Sequence, residues 1–268
     1  MPTKEAWYAA LKQRHGEELQ ESFLAATVAI CGLGGLGSNI SVALARAGVG
    51  KLILIDYDRV DLTNLHRQQY KVSQLGTYKT EALAENLREI APYTTLEIHT
   101  VRITEKNAAE LLGKADIICE AFDDAEDKAM LTNLVLSEMP DQYVVAASGM
   151  AGLDSANTIK TRKITGKFYL CGDKVSDVKD GMGLVSSRVM LCAAHQAHTI
   201  LRILAKEYEV PVTIIGKGSN LLVGDKGIRG LVLSFGKEAE EIQLDGRCMT
   251  VSAGTILAKA ASEAAKNS

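Results

Sequence analysis

The stretch ATVAICGLGGLGSNISVALARAGVGKLILID (residues 26–56) decides the fold. ATVAIC is a short apolar run of the kind buried on both faces of a sheet. It passes directly into glycines, where Gly32, Gly34 and Gly37 spell G-x-G-x-x-G, with Gly35 inside the motif and Ser38 just after it. NISVALARAGV then reads as helix, and KLILID is a second apolar strand that ends on Asp56. Strand, glycine turn, helix and strand within about thirty residues make a βαβ unit. Glycines at such a turn let the backbone approach a phosphate. The helix that follows offers unpaired N–H groups and the positive end of its dipole. Asp56 stands near the spacing of a ribose-hydroxyl acceptor. The motif points to a nucleotide but leaves dinucleotide and ATP open. Glycines that serve only close strand–helix packing are the bland alternative.

Outward from this unit the alternation continues. The first 25 residues read as helix, with Trp7, Leu11, Leu19, Phe23 and Leu24 at helical spacing. Residues 77–90 and 126–139 read as helices; 95–101, 115–121 and 142–148 read as strands. The expected fold is α/β, a doubly wound, mostly parallel Rossmann-like sheet. NTIKTRKI (157–164) and KFYLC (167–171) add a short antiparallel extension, and a long helix over 186–210 closes the domain. After Pro211 the pattern changes to short strands and glycine turns, a hairpin over 242–254 turning at Asp245-Gly246, and a last helix over 255–268. These residues form a small C-terminal α+β fragment, so the domains are expected at 1–208 and 209–268.

Composition bounds the function. The chain has 268 residues, 47% hydrophobic and 24% charged, with a net charge of −3. A balance this mild offers no electrostatic footprint for nucleic acid or an acidic membrane. Apolar runs fall short of a membrane span, and no signal-like h-region opens the sequence. Five cysteines without a CxxC pair suit reduced thiols, so a cytoplasmic protein is expected.

The segment DYDRVDLTNLHRQQY (56–70) brings Asn64 and Arg67 just beyond the second strand, and Lys79 follows twelve residues after Arg67. A nicotinamide enzyme has little use for an Arg and a Lys beside the phosphates. Nucleotidyl transfer does, because charge develops on triphosphate oxygens as pyrophosphate leaves. Taken together, GLGGLGS, DYDRVDLTNLHRQ and GTYK resemble the adenylation domain of the ubiquitin-activating-type superfamily. Within it, residues 1–205 resemble the ThiF adenylyltransferases of bacterial thiamine biosynthesis. That resemblance implies an ATP- and Mg2+-dependent attack by the C-terminal glycine carboxylate of a ubiquitin-like sulfur carrier, ThiS. The acyl-adenylate then awaits a sulfur donor. Carried over by position, Gly32, Gly34, Gly35, Gly37 and Ser38 form the nucleotide loop and Asp56 holds the ribose. Asn64, Arg67 and Lys79 face the phosphates, and Asp123 in EAFDDAEDK (120–128) holds Mg2+. Arg14 matches an arginine that reaches the neighbouring subunit's ATP, which implies a homodimer. Asp123 or Asp124 as a mere helix cap, and Arg14 as a solvated helix charge, are the competing readings.

The chain departs from the family in two places. It lacks the two CxxC pairs of zinc-bearing members, so no zinc is expected. Larger members link a cysteine covalently to the carrier. Cys171, in FYLCGD (168–173), is the candidate here because it follows a strand and opens a polar loop. Cys31 and Cys119 read as buried in strands, and Cys192 as lying on an apolar helix face. His195 and His198 read as packing or surface residues. KVSDVKDGMG (174–183) reads as a mobile cover for the carrier's tail. In the C-terminal fragment, IIGKGSNLLVGDKGIRGLVL (214–233) resembles the start of the FAD-binding domain of the UDP-N-acetylenolpyruvoylglucosamine reductases (MurB). Gly216, Gly218, Ser219 and Asn220 match the turn that meets the flavin pyrophosphate. With no substrate domain and the lobe cut at both ends, no reductase activity is expected and FAD binding is doubtful.

Two other enzyme classes fit parts of the pattern. RAGVGKLILIDYDRVDLTN also suits a tRNA threonylcarbamoyladenosine dehydratase of the same superfamily, against which stands the lack of a basic stripe. An NAD-dependent oxidoreductase fits G-x-G-x-x-G with Asp56 but leaves Arg67 and Lys79 idle. A catalytically dead binding scaffold, the fourth reading, leaves the Asp, Asn, Arg and Lys set unexplained.

Overall fold

A strand buried on both faces needs a helical layer on each side, and the domain grows outward from one such strand. The computed structural model describes residues 2–181, 183–205, 212–215, 231–234, 242–245, 248–251 and 257–266. Helices α1 (Lys4–His15) and α2 (Glu17–Ala25) lead into β1 (Thr27–Cys31), α3 (Gly35–Ala47) and β2 (Lys51–Ile55). There follow α4 (Lys79–Ile90), β3 (Thr95–His99), α5 (Glu105–Leu112), β4 (Ile117–Glu120), α6 (Ala125–Glu138) and β5 (Tyr143–Ala147). The edge hairpin β6 (Lys160–Lys163) and β7 (Phe168–Gly172) precedes α7 (Ser186–Leu204).

The sheet order is β3-β2-β1-β4-β5-β7-β6. All pairs are parallel except β6 with β7. This is the doubly wound α/β architecture with an antiparallel edge. Val28 and Ile30 of β1 join one core with Ile40 and Leu44 of α3, Leu83 and Leu87 of α4, and Val189 and Ile200 of α7. Ala29 and Cys31 join the other with Leu112 of α5 and Leu131 and Val135 of α6. Each fully buried Val or Ile here contributes roughly 1.5–3 kcal/mol. Strand order reverses between β1 and β4, so a crevice opens at their C-terminal ends, where ligands bind in open α/β sheets.

Three local expectations change. The N-terminal helix is two helices, because Gly16 adopts φ +88° and its N–H closes α1 on the Lys12 carbonyl. α5 was not foreseen, although Thr104 and Asn107 form a capping box at its start. β7 pairs with β6 as expected but also runs parallel to β5, inserted between them.

Gly32 and Gly37 are needed by the fold itself. Gly32 has φ +92°, and a Cβ on Gly37 would lie 1.8 Å from the Gly32 carbonyl oxygen. α3 therefore approaches the end of β1 at a distance that excludes any side chain.

The segment after β7 is hydrogen-bonded at its start. The Asp173 carboxylate accepts from the N–H groups of Val175 and Ser176 and from the Ser176 hydroxyl. Arg188 donates to Asp173 at 2.6 Å and to the Asp154 carbonyl at 2.7 Å. The Ala151 N–H donates to the Ser176 hydroxyl at 3.0 Å. Residues 151–158 and 173–176 are thus fastened to the first turn of α7. Burial opposes ionisation of Asp173, but the N–H groups of Ser176 and Val175, the Ser176 hydroxyl and Arg188 outweigh it and hold the carboxyl at about 2.

The chain divides into two compact units, Met1–Glu207 and Tyr208–Ser268. In the second, β8 (Val212–Ile215) pairs parallel with β9 (Leu231–Ser234), and β10 (Ile242–Asp245) pairs antiparallel with β11 (Cys248–Val251). Helix α8 (Leu257–Lys266) follows. The expected turn at Asp245-Gly246 lies partly outside the described residues; Asp245 itself is paired with Cys248. Gly216, Gly218, Ser219 and Asn220 lie outside them altogether. No described helix is long and apolar enough to cross a membrane.

Gly37→Ala should lose about 3 kcal/mol of stability in urea unfolding, since the backbone on both sides of the contact must shift; a loss under 1 kcal/mol would contradict the close approach. Asp173 is the acid-sensitive fastening. Its folded pKa lies below the unfolded value, so its contribution of about 2 kcal/mol is complete above pH ~4 and disappears as pH falls toward ~2. Unfolding at pH 6 and pH 2.5 should separate wild type from Asp173→Asn at the higher pH and bring them together at the lower.

Candidate functional site

A cleft of about 570 Å³ opens over the C-terminal ends of β1, β2, β4 and β5. The glycine loop forms one wall. Asp56, at the end of β2, is buried, and its two oxygens accept from the N–H groups of Leu33 and Asp58, both at 2.7 Å. The Tyr70 hydroxyl donates to the Leu33 carbonyl at 2.7 Å. Burial first, then the carboxylates of Asp56 and Asp58, raise the Tyr70 pKa well above its ordinary value, so the hydroxyl stays protonated as a donor. The loop is thus held through both polar groups of one peptide-bearing residue.

Among the loop glycines the roles divide. Gly34 has nothing nearer to a hypothetical Cβ than Gln68 Nε2, at 3.8 Å. Its missing side chain leaves space in the cleft rather than relieving a packing clash. Gly34 is also the residue before α3, whose first turn has no side-chain cap and no acid. These N–H groups and the helix dipole make an anion site. Gly37 and Ser38 do not line the cleft. Ser38 is fully buried; its hydroxyl donates to the Gly34 carbonyl at 2.6 Å and accepts from Gln69 N–H at 3.1 Å. Both belong to the frame of the loop rather than to its cleft-facing surface.

Asn64, Arg67 and Lys79 meet in the cleft with Gly32, Gly34, Gly35, Asp56 and Asp123. A short turn, Leu62–Asn64, carries Asn64, whose Oδ1 accepts from Asp61 N–H at 3.2 Å. Arg67 is half-buried; Nη1 donates to the Thr63 carbonyl at 3.0 Å. Asn39 of α3 donates to the carbonyls of Gly35 and Arg67, which fastens the arginine's backbone to the nucleotide loop. Desolvation lowers the Arg67 pKa, and Asp123 opposes that shift. The guanidinium is therefore a partly dehydrated cation that gains from an anion. Lys79 opens α4 and is buried, with Nζ 2.7 Å from Asp58 Oδ2; that carboxylate is half-exposed.

Of the two adjacent aspartates, Asp124 is the cap. Its Oδ1 accepts from the N–H groups of Glu126 and Asp127, which lowers its pKa. Asp123 is exposed on the cleft and free of that duty. Beneath it lies a pair that sequence reading missed. The Glu120 side chain is only 1% exposed and accepts from Lys128 Nζ at 3.0 and 3.2 Å and from Phe122 N–H at 2.7 Å. Lys128 also donates to the Ala147 carbonyl at 3.2 Å. The pair ties the ends of β4 and β5 to α6 and fixes the loop that carries Asp123.

Cys171 does not open a loop. It sits within β7, buried, with its sulfur 3.5 Å from Thr161 Oγ1 and 3.9 Å from Thr199 Oγ1, and it does not line the cleft. Burial raises its pKa against the two hydroxyls, so little of it is the thiolate that attacks. The alternation of β7 turns this residue inward, onto α7. Cys31, Cys119 and Cys192 are buried as expected, and burial pushes the Cys192 thiol up to about 12. His195 Nδ1 lies 3.0 Å from Thr161 Oγ1. Arg14 is exposed in the last turn of α1 and does not line the cleft. Among the described residues no group of three or more His, Cys, Asp or Glu side chains converges as a metal site.

The chain is 37% identical over 123 residues to the adenylyltransferase and sulfurtransferase MOCS3 of Caenorhabditis briggsae, which covers 45% of this chain and 31% of that protein. It is 37% identical over 109 residues to the sulfur carrier protein adenylyltransferase of Thermus thermophilus, 40% of each chain. The chain thus spans well under half the length of these relatives. The Escherichia coli tRNA N6-threonylcarbamoyladenosine dehydratase TcdA, solved in complex with ATP, has the same fold. It superposes with a TM-score of 0.69 at 21% identity, over 77% of this chain and 98% of that one. The model of the FAD binding domain family matches residues 190–268, in keeping with the resemblance of the C-terminal fragment. The ThiF family model matches residues 8–218, most of the chain, and the protein belongs to the ThiF family.

Proposed function

We propose that the protein adenylylates the C-terminal glycine carboxylate of a ubiquitin-like sulfur carrier with ATP. The observation that carries the reading is that Arg67 and Lys79 line one cleft with the uncapped N-terminus of α3 and the open space at Gly34. Three positive features around one anion site exceed what a dinucleotide pyrophosphate needs and suit a triphosphate that must lose pyrophosphate. Val101, Ile103 and Phe122 offer an apolar wall for the base. Each Asp56 oxygen still has a lone pair for a ribose hydroxyl after its backbone bond.

In the reaction a carboxylate oxygen of the carrier attacks the α-phosphorus, the bond to the bridging oxygen breaks, and pyrophosphate leaves with the electron pair. Arg67 and Lys79 stabilise the charge that collects on it. Lys79 must exchange Asp58 for phosphate oxygens. Asp123 is suited to Mg2+, which commonly takes one or two protein carboxylates and completes its shell with phosphate oxygens and water. When bound, that ion neutralises phosphate charge. We assign this activity to residues 1–208 and read 209–268 as a partial FAD-binding-type lobe. ThiS of thiamine biosynthesis, a separate sulfur donor, a homodimer in which Arg14 reaches the partner's nucleotide, and a cytoplasmic location complete the reading.

A second reading has its own support: the fold is shared with TcdA over nearly all of that chain. The cleft chemistry is the same, and the acceptor differs. Against a tRNA acceptor stands the net charge of −3.

Pyrophosphate–ATP exchange separates these. Exchange is expected only when a carrier ending in Gly-Gly is present, and Arg67→Ala should reduce it at least 100-fold. AMP formation driven by tRNA, with no carrier-dependent exchange, would replace the first reading by the second. Asp58→Asn releases Lys79, and ATP affinity should rise about threefold by titration calorimetry; weaker binding would mean that Asp58 aims Lys79 in the bound state as well.

A further inference from the structure

Gln68 follows Arg67 in the same turn and lines the cleft, yet it is only 7% exposed. Its N–H donates to the Asn64 carbonyl at 3.1 Å, so its backbone belongs to the turn that carries the phosphate-facing residues. Its side-chain Oε1 has no hydrogen-bond partner among the described residues. Nε2 lies 3.8 Å from where a Cβ on Gly34 would be, across the space that this glycine leaves open.

A buried acceptor without a partner destabilises a fold, and a methionine of similar length would avoid the penalty. Packing therefore gives no reason for an amide at this position. The cleft gives one. The open space at Gly34 borders the uncapped first turn of α3, and Arg67 Cγ comes within 3.4 Å of the neighbouring Gly35 position. A group held there is an oxyanion. Asp56, Asp58 and Asp123 already share the cleft with Arg67, Lys79 and Lys128. A carboxamide adds a donor without altering that charge balance.

We propose that Gln68 is a further binding residue of the nucleotide site, with its Nε2–H donating to a phosphoryl oxygen held at the N-terminus of α3. The proposal rests on the nucleotide reading above and extends it to a residue outside the charged set. Gly34 and Gln68 form a matched pair: the glycine leaves the space, and the amide borders it.

The test is calorimetric titration of ATP, AMP and adenosine into the full chain as wild type, Gln68→Met and Gln68→Glu, with melting curves on each. Gln68→Met should melt at the wild-type temperature or higher and bind adenosine as wild type does. It should lose about tenfold in ATP affinity, the scale of a hydrogen bond to a charged group. Gln68→Glu should lose more, because a carboxylate repels the phosphate. Equal losses for adenosine and ATP would assign Gln68 to the nucleoside and overturn the proposal. ATP affinity unchanged in Gln68→Met would overturn it while leaving the nucleotide reading intact. A wild-type chain that binds no ATP would overturn both.

Discussion

The Gly32 carbonyl oxygen and the Gly37 α-carbon lie so close that no side chain fits between them, and the cleft depends on that approach. It brings the start of α3 directly over the end of β1. The turn between them can then present backbone N–H groups instead of side chains. Backbone alone does not keep such a turn in one conformation. Asp56 and Tyr70 take the N–H and the carbonyl of Leu33, the residue after Gly32. Asp56 does this at the end of β2, where it also borders the cleft. One carboxylate thus both shapes the loop and remains available to a ligand, which makes the loop's geometry and the site's polarity inseparable.

Around this frame, charge is arranged in pairs that differ in burial. Glu120, bonded to the partly exposed Lys128, and the pair Asp173 with Arg188 are buried and multiply hydrogen-bonded. Removing either partner would strand a charge, so these pairs fix loops rather than bind ligands. Lys79 with Asp58 is asymmetric. The lysine is buried while the carboxylate is half-exposed, so water can take over the aspartate when an incoming anion takes the lysine. Among the described residues Arg67 has only the Thr63 carbonyl and His66 as partners at its Nη1, and it sits partly dehydrated. The fixed pairs hold the loops still. The unequal pair and the under-partnered arginine supply charge to a ligand at little reorganisation.

Much of this was legible from residues 26–79, because the glycine spacing and the strand-ending Asp56 encode backbone geometry through residue type. Arg67 and Lys79 could be placed beside that loop from sequence because an Arg and a Lys so close after the second strand have a narrow range of uses. What escaped depends on contacts between distant segments. The insertion of β7 beside β5 rests on a ladder between residues 144–147 and 168–171, which local pattern does not specify. Asp58 and Tyr70 were in plain view within DYDRVDLTNLHRQQY, but their roles are defined by Lys79 and by a backbone carbonyl at Leu33. Cys171 was misjudged for a related reason. A strand-ending position beside Gly-Asp reads as exposed, whereas alternation along β7 turns it onto α7. The break at Gly16 and the cap at Thr104 were local signals left unread.

The same physics explains why the cleft narrows the chemistry further than the acceptor. On the proposed reading, the groups that line the cleft would address the parts that all substrates of an adenylylating enzyme share: phosphate, ribose, base and a leaving pyrophosphate. An acceptor is distinguished by the surface it docks on, and the cleft residues carry no record of that surface. The segment 176–178 borders the cleft and is fastened through Asp173 and Arg188 to α7. Because Arg188 holds that segment from within the core, its place at the cleft depends on packing behind it as much as on its exposed residues.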